Sequence, residues 1–520
     1  MRIATIVFFT TLLFLINCSS LVAQKKPNIV YILADDMGIG DISGLNPSSK
    51  INTPNIDKLL ENGMNFTDAH TASAVCTPTR YGIITGRYPW RTRLKKGVVD
   101  GYSKTLIQND IDTAPALLQR NGYHTAMIGK WHLGWNWVIK GEDSLARDIS
   151  LPDYKFAAGV EEHVDFSKPF TAGPIDRGFE YFYGINASLD FPPYVFSENN
   201  KATTLPNEIL PFQGPNKSKP NWKNDVLEKK QIMQRKGIKD PKFDAGETLL
   251  KLTNRSTEYI KNSDASKPFF LYIALTAPHT PVLPRKEFVK SSNAAAYGDF
   301  IQELDWSVGK VVQALIDRGI EDNTIIVFTA DNGASKASFP VEFETKYNHK
   351  PSRELKGRKG SLNEGGHRVP FIVQWKNEIQ PRSENNTTVS LNDLYATCAA
   401  IIDIPQPKDQ GVDSYSLLNL FYGINYYTRT SNVYSDYGGR YAVRKGDFKL
   451  ILSPNKKNRS LYNLKEDIGE TTNLYGQQKY IKIQKDLMNE ITSIIKNGRS
   501  TTGKKLENEG PKVWKALYWM

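Results

Sequence analysis

Short runs of uninterrupted apolar residues punctuate the chain, and each runs into polar or charged residues. They cover 27–34, 123–128, 267–275, 324–330 and 371–375. Their β-branched and aromatic content predicts strands buried on both faces, as in a parallel sheet. Between them lie helical patterns: 53–60, with Thr53 and Pro54 at its start; 113–122, stopped by Gly122; and about 297–318. Residues from about 136 to 261 are less regular and rich in Pro, Asn and Lys, which predicts binding loops or lids. Beyond about residue 410 short β-like runs such as 448–452 alternate with turns, and a helix near 480–496 closes the chain. The pattern predicts an α/β protein: a large domain over 24–410 with a central mixed β-sheet flanked by helices. A smaller α+β domain with an antiparallel sheet and a helix follows over 411–520.

The polar residues that follow the strands carry the candidate chemistry. Asp35 and Asp36 end the first run. Adjacent carboxylates at the carboxyl end of a buried strand are costly unless a positive charge sits between them. That edge is also where open α/β sheets place their ligands. Asp331 and Asn332 end the 324–330 run and bring oxygen donors to the same edge. Lys130 and His132 follow 123–128 between Gly129 and Gly134; two residues apart in an extended segment, they face one side while Trp131 faces the other. His279 stands between Pro278 and Pro281, rigidly placed after a strand. Lys359 and the Glu364–Phe371 stretch, with Gly365, Gly366, His367 and Arg368, lie where glycines permit close backbone approach. The segment Cys76-Thr77-Pro78-Thr79-Arg80 reads as a helix start, because proline fits a first turn. Cys76 then sits at a helix N-terminus suited to anions, with Arg80 about one turn on. In the irregular region, 176–179 (Asp176 and Arg177 first) and 186–194 are candidate substrate-reading loops. Asp176 with Arg177 offers acceptor and donor together for sugar hydroxyls, or a structural ion pair. Phe191 and Tyr194 suit either a sugar ring or the core.

Composition narrows the class. The chain has 520 residues, 67 Lys+Arg against 55 Asp+Glu and a formal charge of +12, with no collagenous, coiled-coil, disordered or nucleic-acid-binding pattern. The positive balance draws anionic substrates. Arg2, the apolar run 3–16 and the small-residue exit to Ala23 predict an export signal over 1–23 and a periplasmic or extracellular enzyme. Cys18 offers an alternative as a lipoprotein acceptor, the one route to a membrane. Of the 3 cysteines, only Cys76 and Cys398 would remain after cleavage, too few for a disulfide framework. Cys398 lies in an apolar run and reads as core.

Taken in order, Asp35-Asp36, Cys76-x-Pro78-x-Arg80, Gly129-Lys130-Trp131-His132-Leu133-Gly134, Pro278-His279, Asp331-Asn332-Gly333 and Lys359-Gly360 with Glu364–Pro370 resemble the formylglycine-dependent sulfatases. These belong to the alkaline-phosphatase superfamily, and the resemblance spans nearly the whole mature chain. It implies an alkaline-phosphatase-like fold and a sulfatase acting on sulfated carbohydrates. It implies Cys76 oxidised by a formylglycine-generating enzyme to Cα-formylglycine, whose hydrate attacks sulfur. One Ca²⁺ would be held by Asp35, Asp36, Asp331, Asn332 and the modified Cys76, an all-oxygen set unlike the His/Cys clusters of zinc. Arg80 would neutralise sulfate, Lys130 hold the nucleophile, His279 with Lys359 protonate the leaving group, and His132 take the proton that expels sulfate. Asp176, Arg177, His367 and Arg368 are the substrate-binding candidates. Two alternatives stay open: a phosphonate or phosphate ester hydrolase of the same superfamily, and a non-catalytic carbohydrate-binding relative.

Overall fold

The computed structural model describes residues 26–140, 160–213 and 233–520; the predicted export signal, with Cys18, lies outside them. The apolar runs become the centre of a ten-stranded sheet. Asn28–Ala34 lies in the middle, parallel to Phe269–Ala274 on one side and Thr324–Ala330 on the other. His124–Lys130 and then Tyr181–Ile185 extend the parallel array. Phe371–Trp375 adds antiparallel beyond Thr324–Ala330. Residues in the central strands are almost entirely buried, which is why they read as continuous apolar runs rather than alternating ones.

Helices cover the sheet. Leu394–Ile401 packs with Cys76–Thr85 and Ala114–Gln119, and its Leu394 and Thr397 lie over Ile29 and Tyr31. Thr248–Asn262 packs along Ala295–Asp317. Within the less regular stretch 136–261 the structure forms the Tyr181–Ile185 strand and the Thr248–Asn262 helix, which the sequence pattern does not single out. Polar and charged positions interrupt the apolar stripe of that helix, yet Leu249, Leu252 and Ile260 are buried.

A separate four-stranded antiparallel sheet, Ser431–Ser435, Tyr441–Lys445, Phe448–Ile451 and Ser460–Asn463, packs against the Ile481–Asn497 helix. It is joined to the large sheet's helical layer just before Cys76: Ser435 N donates to Ala72 O (3.0 Å) and Ala74 N to Ser435 O (2.9 Å). Among the described residues no helix is long and apolar enough to cross a membrane.

Candidate active site

The parallel register decides which side chains meet. Ala34 pairs with Ala330, Leu33 with Ala274, and Ala274 with Gly129. The strands therefore end together, and Asp35-Asp36, Lys130, the His279 loop and Asp331-Asn332 emerge at one edge. Backbone bonds stitch these ends: Asp35 N donates to Ala277 O (2.9 Å) and Asp331 N to Ala34 O (3.0 Å). Asp36 and His132 both sit at positive φ, 71° and 57°, a strained region for non-glycine residues that clusters at functional sites. His132 thus reaches the site through a turn, not through the extended segment its spacing from Lys130 suggests.

Cys76 opens the Cys76–Thr85 helix, as its proline spacing implies, and is buried. One turn on, Arg80 aims its guanidinium back at the strand edge. Its Nε and Nη2 donate to Asp331 Oδ2 (3.0 and 2.8 Å) and its Nη1 to Lys130 O (2.8 Å). Lys130 Nζ donates to Asp35 Oδ2 (2.6 Å) and approaches Ser188 Oγ (3.3 Å). Lys359 Nζ pairs with Asp36 Oδ1 at 2.6 Å. The Lys359 loop is tied to both neighbours, Lys359 N to Ala334 O and Gly360 N to Ala74 O. Glycine is required where that loop meets the Asp331-Asn332 turn: a Cβ on Gly333 would lie 2.0 Å from Gly365 O.

Three buried oxygens at this edge have no hydrogen-bond partner among the described residues: Asp35 Oδ1, Asp36 Oδ2 and Asn332 Oδ1. Ligand atoms of Asp35, Asp36 and His279 lie within 4.8 Å of one another. Unsatisfied buried carboxylate oxygens are expensive, and a hard divalent cation satisfies several at once. Electrostatics points the same way. Burial would push the Asp35 carboxyl up, but Lys130, His279 and Arg80 outweigh it and hold Asp35 below its usual range. Asp331 is pushed up by burial and by the charge of Asp35, a repulsion that an added cation relieves. The donor set therefore fits calcium.

The two imidazoles are prepared differently. His132 Nε2 donates to Val99 O (2.8 Å), which leaves Nδ1 as the lone-pair nitrogen, buried and without a partner. Burial, Lys130 and Arg80 hold its pKa well below the ordinary value, so the ring is neutral. His279 Nδ1 donates to Thr280 O (2.6 Å), and its Nε2 faces Asp36 Oδ2 at 3.7 Å. One ring is thus set up to accept a proton, and the other presents Nε2 to the cleft.

Cys76 forms a small apolar cluster with Val75 and Val98, against which Phe191 and Tyr437 pack. Tyr437 comes from the turn after Ser431–Ser435, so the small sheet supplies one wall; Gly97 N donates to Tyr437 O (2.9 Å) and fixes that turn. Tyr437 does not stand out in the sequence, since no charge, spacing or flanking glycine pattern sets it apart, and Ser188 is marked only by lying in the candidate loop 186–194. Tyr194, a stacking candidate, is instead core: its hydroxyl donates to Arg235 O at 2.7 Å.

The structure does not bring the four substrate-binding candidates to this cleft. Arg177 is buried near the start of the His124–Lys130 strand, the end opposite Lys130, and donates to Ile107 O (2.8 Å) and Asn109 Oδ1 (3.0 Å). Asp176 beside it accepts from Gly173 N. His367 and Arg368 belong to a buried polar network between the two sheets. His367 Nδ1 meets His70 Nδ1 at 3.0 Å, and His70 Nε2 meets Asp68 Oδ1 at 2.8 Å. Lys449 Nζ lies 2.8 Å from Glu364 Oε1, 2.8 Å from Glu470 Oε1 and 3.3 Å from His367 Nε2. Arg368 donates to Thr67 O and reaches Asp68 and Glu364. His70, Glu364 and His367 have the spacing of a metal cluster, but the Lys449 ammonium already occupies the cation position among them.

This cleft suits a hydrolase of anionic esters on an alkaline-phosphatase-like fold, with the nucleophile position held at a helix start beside a cation site. Comparison with known proteins narrows that class. The Sulfatase family profile matches residues 27–404, and the profile for the C-terminal part of N-sulphoglucosamine sulphohydrolase matches 358–497. The chain belongs to the sulfatase family and is a sulfuric ester hydrolase. It is 31% identical to an N-acetylgalactosamine-6-O-sulfatase of Bacteroides thetaiotaomicron over 490 residues, which cover 87% of this chain and 90% of that one. It is 29% identical to human N-acetylgalactosamine-6-sulfatase over 405 residues, 76% of this chain and 66% of that one. A solved structure from work on glycosaminoglycan metabolism by B. thetaiotaomicron superposes with a TM-score of 0.75 at 28% identity, covering 90% of this chain and 99% of the other.

Proposed function

We propose that this chain is an exported, calcium-dependent sulfatase that removes sulfate from a sugar of a sulfated polysaccharide or glycosaminoglycan, N-acetylgalactosamine 6-sulfate being the first candidate. Similarity to the B. thetaiotaomicron N-acetylgalactosamine-6-O-sulfatase along most of both chains supports the substrate class. The observation that carries the chemistry is the set of partnerless buried oxygens of Asp35, Asp36 and Asn332 beside Cys76. With Asp331 and residue 76 they would hold Ca²⁺, which supplies positive charge to sulfate oxygens and to the nucleophile.

The Cys76 thiol itself is a poor nucleophile, because burial pushes its pKa up. Its conversion by a formylglycine-generating enzyme supplies an aldehyde hydrate, with one hydroxyl to attack sulfur and a second through which sulfate leaves. Arg80, fixed by Asp331, presents positive charge to the sulfate. Lys130, anchored on Asp35, orients the nucleophile. His132 takes a proton at Nδ1, the nitrogen left open by Val99 O. His279 gives a proton from Nε2 to the departing sugar oxygen, with Lys359 alongside.

The test is mass spectrometry of the Cys76 peptide from protein made with a formylglycine-generating enzyme, followed by assays of sulfate release from N-acetylgalactosamine 6-sulfate and of phosphate release from its phosphate counterpart. Formylglycine at position 76 and release of sulfate alone is the expected result. Unmodified Cys76, while a control sulfatase in the same cells is modified, overturns the reading.

A further inference from the structure

The loop after Tyr181–Ile185 lies over the cleft, and its residues divide between core and site. Leu189 is buried in the main core. Ser188 Oγ touches Lys130 Nζ (3.3 Å) and His279 Nδ1 (3.2 Å). Phe191 packs against the Val75, Cys76 and Val98 cluster and faces the His132 ring at 5.9 Å. Asp190 falls between these two contacts and is 5% exposed. Its Oδ2 is held by the Arg235 guanidinium, which in turn lies 3.9 Å over the Phe191 ring. Arg235 N also donates to Asp190 O (3.1 Å), so the pair is braced by backbone as well.

The other carboxylate oxygen, Asp190 Oδ1, is buried and has no hydrogen-bond partner among the described residues. Burial would push this carboxyl up, yet His279, Arg235 and Lys130 outweigh it and keep it charged. A charged oxygen buried without a donor is unfavourable in the protein alone. Among the described residues no neighbouring donor reaches it: Ser188 Oγ lies instead beside Lys130 and His279, and Tyr194 Oη donates to backbone oxygens. A ligand hydroxyl fits the vacancy in this hydrogen-bonding scheme, and the departing sugar is what His279 faces.

We propose that Asp190 Oδ1 accepts a hydrogen bond from a ring hydroxyl of the sugar that carries the scissile sulfate, with Arg235 fixing the carboxylate, making Asp190 a specificity-determining residue. This rests on the sulfatase reading above. A site built to accept from a hydroxyl discriminates strongly against substrates that lack one, whereas an aryl sulfate has no hydroxyl to offer.

The experiment compares kcat/KM for N-acetylgalactosamine 6-sulfate with that for p-nitrophenyl sulfate in formylglycine-bearing wild type and Asp190→Asn. The expected result is a fall of about 10–100-fold in the sugar-to-aryl ratio, the size of one hydrogen bond to a charged group. An unchanged ratio, including equal losses on both substrates, overturns the proposal, because Asp190 would then act on His279 or on folding. Monodeoxy analogues of the sulfated sugar, tested on wild type, need no variant: one should lose about 10-fold or more, and equal turnover of all overturns the proposal. If wild type hydrolyses neither substrate, the sulfatase reading fails by itself. Calorimetry then decides on Asp190: the sugar should bind Cys76→Ala protein and not Cys76→Ala/Asp190→Asn, and equal binding, or none to either, refutes the role.

Discussion

Replacing Lys449 with Met tests whether the network between the two sheets is held by one buried cation. Lys449 Nζ lies 2.8 Å from both Glu364 Oε1 and Glu470 Oε1, with all three side chains inaccessible to solvent. Methionine keeps the length and removes the charge. Glu364 retains Arg368 and Arg444 at 3.5 and 4.0 Å; Glu470 keeps the backbone N–H of Glu364 (2.7 Å) but faces a second carboxylate with the ammonium gone. Breaking a buried pair costs about 3–5 kcal/mol, and the lower end applies because Glu470 escapes by taking a proton. That corresponds to a Tm lower by about 3–5 °C in a protein of this size. The pH dependence has a definite sign. Burial pushes the Glu364 carboxyl up, but Lys449, His70, His367 and Arg444 outweigh it and hold it well below its usual range. Its stabilisation is therefore present above the unfolded value and lost only as pH falls through the much lower folded one. In Lys449→Met the same carboxyl moves up, so Glu364 no longer loses its contribution in acid as it does in wild type, and the variant falls less far behind. Thermal unfolding at pH 7.5 and 5.0 should show a gap that narrows in acid and is partly restored by Lys449→Met/Glu470→Gln. A gap below about 1 °C, or one that widens at pH 5.0, refutes the reasoning from burial.

Two further outcomes follow from the cleft. Removing calcium with a chelator should lower Tm, and adding it back at about 100 times its Kd should restore about 2.7 kcal/mol; Asp35→Asn should abolish that calcium-dependent shift, and a shift that persists in the variant would place the ion elsewhere. His279→Ala should lower kcat/KM on the sulfated sugar by about 10²–10⁴-fold and far less on p-nitrophenyl sulfate, whose phenolate leaves without a proton; equal losses on both would refute the acid role of His279.

What the sequence discloses here is whatever is local to one strand or one helix start. Buried parallel strands announce themselves as apolar runs, and the residues just after them must share an edge once the strands are in register; Asp35, Asp36, Lys130, Asp331 and Asn332 are legible for that reason. Cys76 is legible because Pro78 marks the helix start two residues on. The rest depends on pairs distant in the chain. The N-terminus of Pro54–Asn62 has no side-chain cap from Thr53 and is instead satisfied by Asp305, which accepts from Asn55 N (3.0 Å) and Ile56 N (2.8 Å). His367 and Arg368 sit in a motif continuous with the active-site loop, and only the position of Lys449, on a strand of the other sheet, assigns them to the interface. Tyr437 packs against the Val75, Cys76 and Val98 cluster because Ser435 bonds to Ala72 and Ala74, a contact that no local pattern encodes. Asp190 combines both cases. Its loop is legible as substrate-reading, but the residue that matters is picked out by a guanidinium 45 positions away, which occupies one carboxylate oxygen and leaves the other without a donor.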